Sequence, residues 1–168
     1  MLNLGTVWID TDGGLLGVNF ASKQQKENRV KEIETERQTL YKSLRNFKDP
    51  VMEFETDKFK IRIDDMGEGN YRYASWPVGN ETNKKPDLIL QNGRITFDVS
   101  GGNHYYEFKN GAYVYHCEVT VIGTSDDVPV DLQVYKNEKL ILEQPAKTVK
   151  EYTIHGIEIT YKDSKYIN

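Results

Sequence analysis

From about Lys58 to Tyr161, apolar side chains recur at every second residue, in short runs separated by turn residues. That period places successive side chains on opposite faces of an extended strand. Phe59, Ile61 and Ile63 alternate with Lys58, Lys60 and Arg62. Tyr71, Tyr73 and Ser75 alternate with Arg72, Ala74 and Trp76. Tyr113, Tyr115, Cys117 and Val119 alternate with Val114, His116 and Glu118, and Val130, Leu132 and Val134 with Asp131, Gln133 and Tyr135. Such runs imply one packed and one wet face on each strand. Two Asn-Gly pairs read as tight hairpin turns, because Asn-Gly tolerates positive φ. One is Asn92-Gly93, between Leu88–Gln91 and Arg94–Phe97. The other is Asn110-Gly111, between Tyr105–Phe108 and Tyr113–Tyr115. Roughly eight to ten strands of this kind predict an antiparallel β-sandwich or small β-barrel.

Two further segments precede it. Thr6–Ile9 and Leu15–Phe20, around Asp10-Thr11-Asp12-Gly13-Gly14, read as an N-terminal hairpin. Ser22 is a candidate N-cap for a charged, Gly- and Pro-free run from Lys23 to about Asn46. Its apolar seam of Val30, Ile33, Leu40, Leu44 and Phe47 predicts one amphipathic helix, stopped by Asp49-Pro50. The expected organisation is a hairpin over residues 1–21, a helix over 22–48 and a β domain over 51–168. The seam packs on the β domain or, in the alternative, joins copies of the chain.

Composition removes several function classes. A net charge of −4 over 168 residues gives no basic field for nucleic acid. The single cysteine, Cys117, excludes an internal disulfide and a Cys-rich zinc site. It alternates with Tyr115 and Val119, so a buried, inert thiol is expected. No window has the apolar length of a membrane span. Residues 1–20 lack the pattern of a signal peptide. The expected setting is therefore either the cytosol or, with its leader removed, a cell envelope. The Tyr-rich β composition favours a periplasmic, surface or secreted protein.

Candidate chemistry is sparse. Trp76, Tyr105 and Tyr135 fall on outward positions, with Arg72 and His116 beside them. Exposed rings stack on sugar faces or anchor a protein partner. His116 is placed to meet Glu107 or Glu118 across a strand pair, and His104 reads as a hydrogen-bonded core residue. His104, His116 and His155 lack metal-ligand spacing. The Asp10–Gly14 turn lacks the later ligands of a calcium loop, and Asp64-Asp65 with Glu68 and Asp126-Asp127 suit turns for backbone reasons. There is no Gly-x-Ser-x-Gly elbow and no phosphate loop. No cofactor or metal is expected. The irregular stretch Pro77–Pro86 is the longest candidate binding loop.

The run Tyr71-Arg72-Tyr73-Ala74-Ser75-Trp76, then Lys85-Pro86-Asp87-Leu88-Ile89-Leu90, then Ser100-Gly101-Gly102-Asn103-His104, resembles a bacterial β domain of small envelope and lipoprotein-type proteins with no assigned activity. The resemblance covers about residues 58–145. The general plan also resembles the small β-barrel lysozyme inhibitors of bacterial envelopes, in architecture only, and those inhibitors commonly carry a disulfide that this chain cannot form. Together the residues and the resemblance lead to a non-catalytic binding module of a bacterial envelope or surface. Its ligand is a glycan or a protein, held by Trp76, Tyr105, Tyr135, Arg72 and His116. A structural protein assembling through Val30, Ile33, Leu40 and Leu44, and a lysozyme-inhibitor-like protein, are the alternatives. With Trp76 exposed, Trp76→Ala is expected to abolish binding and leave the melting temperature nearly unchanged.

Overall fold

The computed structural model describes residues 23–99, 102–121 and 129–152, together with the strand backbones 5–9, 15–20, 153 and 156–161. In chain order these form β1 (Gly5–Ile9), β2 (Leu15–Phe20), α1 (Lys23–Thr39), a 3-10 turn (Lys42–Leu44), β3 (Asp49–Glu55), β4 (Phe59–Gly67), β5 (Asn70–Pro77) and β6 (Leu88–Phe97). Then follow β7 (His104–Asn110), β8 (Tyr113–Val119), β9 (Val130–Lys136), β10 (Lys139–Pro145), β11 (Thr148–Thr153) and β12 (Gly156–Tyr161). The protein is mainly β. Its principal sheet is antiparallel, in the order β10-β9-β8-β7-β6-β5-β4-β3-β11-β12. The backbones of β1 and β2 pair separately. The side chains of that segment and its Asp10–Gly14 turn lie outside the described residues.

Two bends curl this sheet into a half-barrel. The first is within β6. Leu88–Leu90 pair with β5, whereas Arg94–Phe97 pair with β7. The Asn92-Gly93 pair expected as a hairpin turn is therefore a kink inside one continuous strand. Its turn chemistry is used all the same, since Asn92 takes φ +61°. A bulge of this kind re-aims a strand without ending it. The β7–β8 hairpin forms where the sequence predicts, with Phe108 opposite Tyr115, but Asn110 is the last residue of β7 and the loop is Gly111 (φ +59°) with Ala112. The second bend lies between β10 and β11. Ala146 N–H donates to Val130 O of β9 at 2.9 Å, and the next residue, Lys147, donates to Glu55 O of β3 at 2.7 Å. Adjacent residues thus bond to opposite regions of the sheet.

The concave face holds the main core, including Phe54, Ile61, Ile63, Tyr73, Phe108, Cys117, Leu132 and Val149. These are the inward positions of the period-two pattern, and their removal from water is the main favourable term in folding. Cys117 is fully buried, as expected, and burial pushes its thiol well above the ordinary range.

The helix departs from expectation. It ends at Thr39 rather than near Asn46, and none of its residues is buried. Leu40, Leu44 and Phe47 belong to the segment after it, where the chain turns at Tyr41 (ψ 139°). This segment packs on Ala74 and Trp76 to make a second core on the outer face of β5, with Ile33 alongside. One straight helix would have aimed its narrow seam along a single line. Breaking after Thr39 lets three large side chains settle onto a curved sheet. The expected assembly seam is dismantled as a result. Leu40 and Leu44 are 1% and 0% exposed within their own chain, while Val30 stands 67% exposed on the helix.

Polar groups dock the helix instead. Glu36 accepts hydrogen bonds from Arg62 at 2.8 Å and Tyr152 at 2.6 Å, and lies 3.5 Å from Lys150. Arg29 donates to Tyr152 O at 3.3 Å, and the Arg37 guanidinium lies 4.2 Å from the Phe47 ring centroid.

Candidate functional site

The five residues singled out from the sequence separate into two groups. Trp76 and Arg72 do point away from the concave core, but the outer face of β4 and β5 is covered. Trp76 is 0% exposed and Arg72 2% exposed. The Trp76 indole N–H donates to Lys84 O at 2.9 Å. The loop expected to bind ligand between Pro77 and Pro86 is therefore pinned to the ring, and its Thr82 O also accepts from Tyr41 N–H at 2.9 Å. Arg72 sits opposite Asp64 in the β4–β5 register. It donates to Asp64 at 2.6 Å, to Leu44 O at 2.6 Å and to Asn46 O at 3.0 Å. Arg62 joins the same carboxylate at 2.8 Å and also pairs with Glu53. Trp76 and Arg72 thus hold the 40–47 segment onto the sheet, and neither is an exposed outward side chain. Alternation identified the correct face; it carried no signal that this face was covered.

Tyr105, His116 and Tyr135 form the second group, and the register brings them together. In β7, β8 and β9, Tyr105, Glu107, His116, Glu118, Gln133 and Tyr135 stay half-exposed, whereas Tyr106, Phe108, Cys117, Val119, Leu132 and Val134 are buried. Glu107 pairs with His116, Tyr105 with Glu118, and His116 with Gln133. The Tyr105 and His116 rings stack with centroids 4.5 Å apart and planes 27° apart. Tyr135 lies 5.1 Å from the other side of His116, tilted by 53°. A row of three rings therefore crosses three strands.

Carboxylates and an amide fix this row. Glu107 Oε2 lies 3.2 Å from His116 Nε2, and Glu118 Oε1 lies 3.6 Å from Nδ1. Both nitrogens of one imidazole thus face acidic groups. The Tyr135 hydroxyl donates to Gln133 Oε1 at 2.6 Å, and the Gln133 amide donates to Asp131 at 3.2 Å. The Lys109 hydrogen bond, with help from His116, holds the Glu107 carboxyl below its usual range. Glu118 is raised, by burial first and by Asp131 second. Glu107, Glu118 and Gln133 were not among the residues chosen from the sequence as a site. Their spacing of two residues from Tyr105, His116 and Tyr135, which puts them on the same face, is the available signal.

The remaining polar candidates have structural partners or lie outside the described residues. His104 is half-buried, with Nδ1 2.9 Å from Gly102 O and its ring 5.5 Å from Tyr106. Asp64 is committed to two arginines. Asp126-Asp127 and His155 lie outside the described residues. Among the described residues no three acidic, His or Cys side chains are grouped to hold a metal, and no helix is long and apolar enough to cross a membrane. No protein-family model, curated protein or solved structure matches the chain.

Proposed function

We propose that this protein is a non-catalytic binding module whose ligand is a glycan laid across Tyr105, His116 and Tyr135. The ring row with its flanking hydrogen-bonding groups carries the reading. A pyranose presents an apolar C–H face and a rim of hydroxyls. The tyrosine faces suit the first, as aromatic rings bury large area at low entropy cost. Glu107 and Glu118 suit the second, because charge-assisted hydrogen bonds to hydroxyls are the stronger kind, and Gln133 adds a neutral amide. Trp76 and Arg72 have no part in this site. In the same proposal the curled sheet is a small β-barrel rather than a sandwich, with the β10–β11 bend completing its closure. The setting is a bacterial envelope or surface, where glycans are abundant.

A thermal-shift panel of neutral glycans, peptidoglycan fragments and lysozyme tests this. A ligand that binds only the folded state raises the melting temperature by mass action. A rise with a glycan class, lost in the double variant Tyr105→Ala, Tyr135→Ala, supports the proposal. A rise with lysozyme alone would replace the glycan by a protein ligand. Silence across the panel would contradict both.

A further inference from the structure

The concave side of the sheet is incompletely filled toward the end that carries the β7–β8 and β9–β10 turns, which Asn137 N–H joins by donating to Ala112 O at 3.1 Å. A cavity of about 320 Å³ opens there. Phe59, Tyr73, Trp76, Tyr113 and Tyr115 supply its aromatic lining, and β9 contributes apolar surface through Leu132 and Val134. The Tyr73 and Tyr115 rings lie 5.6 Å apart, inclined at 44°. That volume is in the range of small-molecule sites, which pair apolar walls with a few polar groups. Asp87, exposed just before β6, is the one charged residue of the described lining. No lysine, arginine or histidine occurs among the described lining residues. The site is thus aromatic and apolar with a single negative charge.

We infer that this cavity binds a small organic amine, with its aryl or alkyl body against the Tyr73–Tyr115 ring pair and its ammonium group toward Asp87. An ammonium is attracted both by ring faces and by a carboxylate. An anion of the same shape meets repulsion from Asp87 and finds no cationic partner among the described lining residues. This site lies on the opposite side of the sheet from the Tyr105–His116–Tyr135 row. The two readings therefore stand or fall separately.

Calorimetric titration of the full chain with tryptamine and with indole-3-acetate compares one ring system carrying opposite charges. Tryptamine is expected to bind at least about tenfold tighter, the range of a cation–π contact with a partly desolvated ion pair. Asp87→Asn should remove most of that preference. Ile141→Trp, at a lining position 50% exposed, should block entry without disturbing the core. Tyr105→Ala should leave tryptamine binding unchanged. Equal affinity for the two compounds, no binding of tryptamine, or binding indifferent to both Asp87→Asn and Ile141→Trp would overturn the inference. The melting temperatures of the variants establish that each is folded.

Discussion

Gly93 lies directly beneath the ring of Phe108. A methyl group built on Gly93 would sit 2.1 Å from Phe108 Cε1 and 2.5 Å from Cδ1. Phe108 is buried in the main core, so its ring has little room to retreat. The glycine is needed because β6 bends here and its backbone presses on the core, not because of its own φ. Gly93→Ala should therefore destabilise the fold by about 3 kcal/mol, the upper part of the usual overpacking range. A shift of the urea midpoint without a change in slope checks this.

Trp76→Ala removes the largest side chain of the second core together with its bond to Lys84 O. A loss of about 3–5 kcal/mol is expected for emptying such a site. This reverses the sequence-based expectation of an unchanged melting temperature. Trp76→Phe, which keeps an aromatic ring but loses the donor, should cost clearly less. Thermal unfolding of both variants separates packing from the hydrogen bond.

Glu36 makes the docking of α1 sensitive to acid. Burial tends to raise its pKa, but the Tyr152 hydroxyl, Lys150 and Arg62 together outweigh that and leave it below its ordinary value of 4.5. A carboxyl lowered on folding stabilises the fold fully above its unfolded pKa and loses that contribution as pH falls through the folded value. Stability should thus drop below about pH 4.5 in the parent protein. Glu36→Gln should lower stability at pH 7 by about 1–3 kcal/mol and flatten this acid limb. Urea unfolding at pH 3, 4, 5 and 7 measures both effects.

Much of the main sheet was legible from period-two alternation. Inward residues such as Ile61, Tyr73, Cys117 and Leu132 are those of the core. What alternation could not report is whether an outward face stays wet. Arg62, Asp64 and Arg72 look like solvent-facing charges, yet they are buried because each is paired beneath the 40–47 segment. Leu40, Leu44 and Phe47 gave the right apolar positions but the wrong element, since helical spacing continues past a break that tertiary packing imposes. Asn92-Gly93 reads in the sequence as a positive-φ chain reversal, and the structure keeps the positive φ at Asn92 without the reversal. A bulge and a tight turn both ask a positive φ of Asn92, whereas Gly93 serves here by carrying no side chain against Phe108. The ring row was half legible. The outward positions of Tyr105, His116 and Tyr135 are readable from alternation, whereas their stacking depends on a register set by long-range pairing.

Cys117 should be unreactive in the native protein. It is fully buried and burial raises its pKa, so little thiolate forms. Labelling with a disulfide reagent at pH 8 should proceed only after addition of denaturant. Stoichiometric labelling within seconds in buffer would place the thiol at the surface.

The glycan-binding reading is tested most directly by a nuclear magnetic resonance titration of the isotope-labelled chain with the glycan that gives the largest thermal shift. Shifts should cluster at Tyr105, His116, Glu118 and Tyr135. Tyr105→Ala and Tyr135→Ala should each weaken binding by about tenfold, near the upper value of one aromatic contact, with stability changing by no more than about 1 kcal/mol. Perturbations confined to other surfaces, or unchanged affinity in the double variant, would contradict the account.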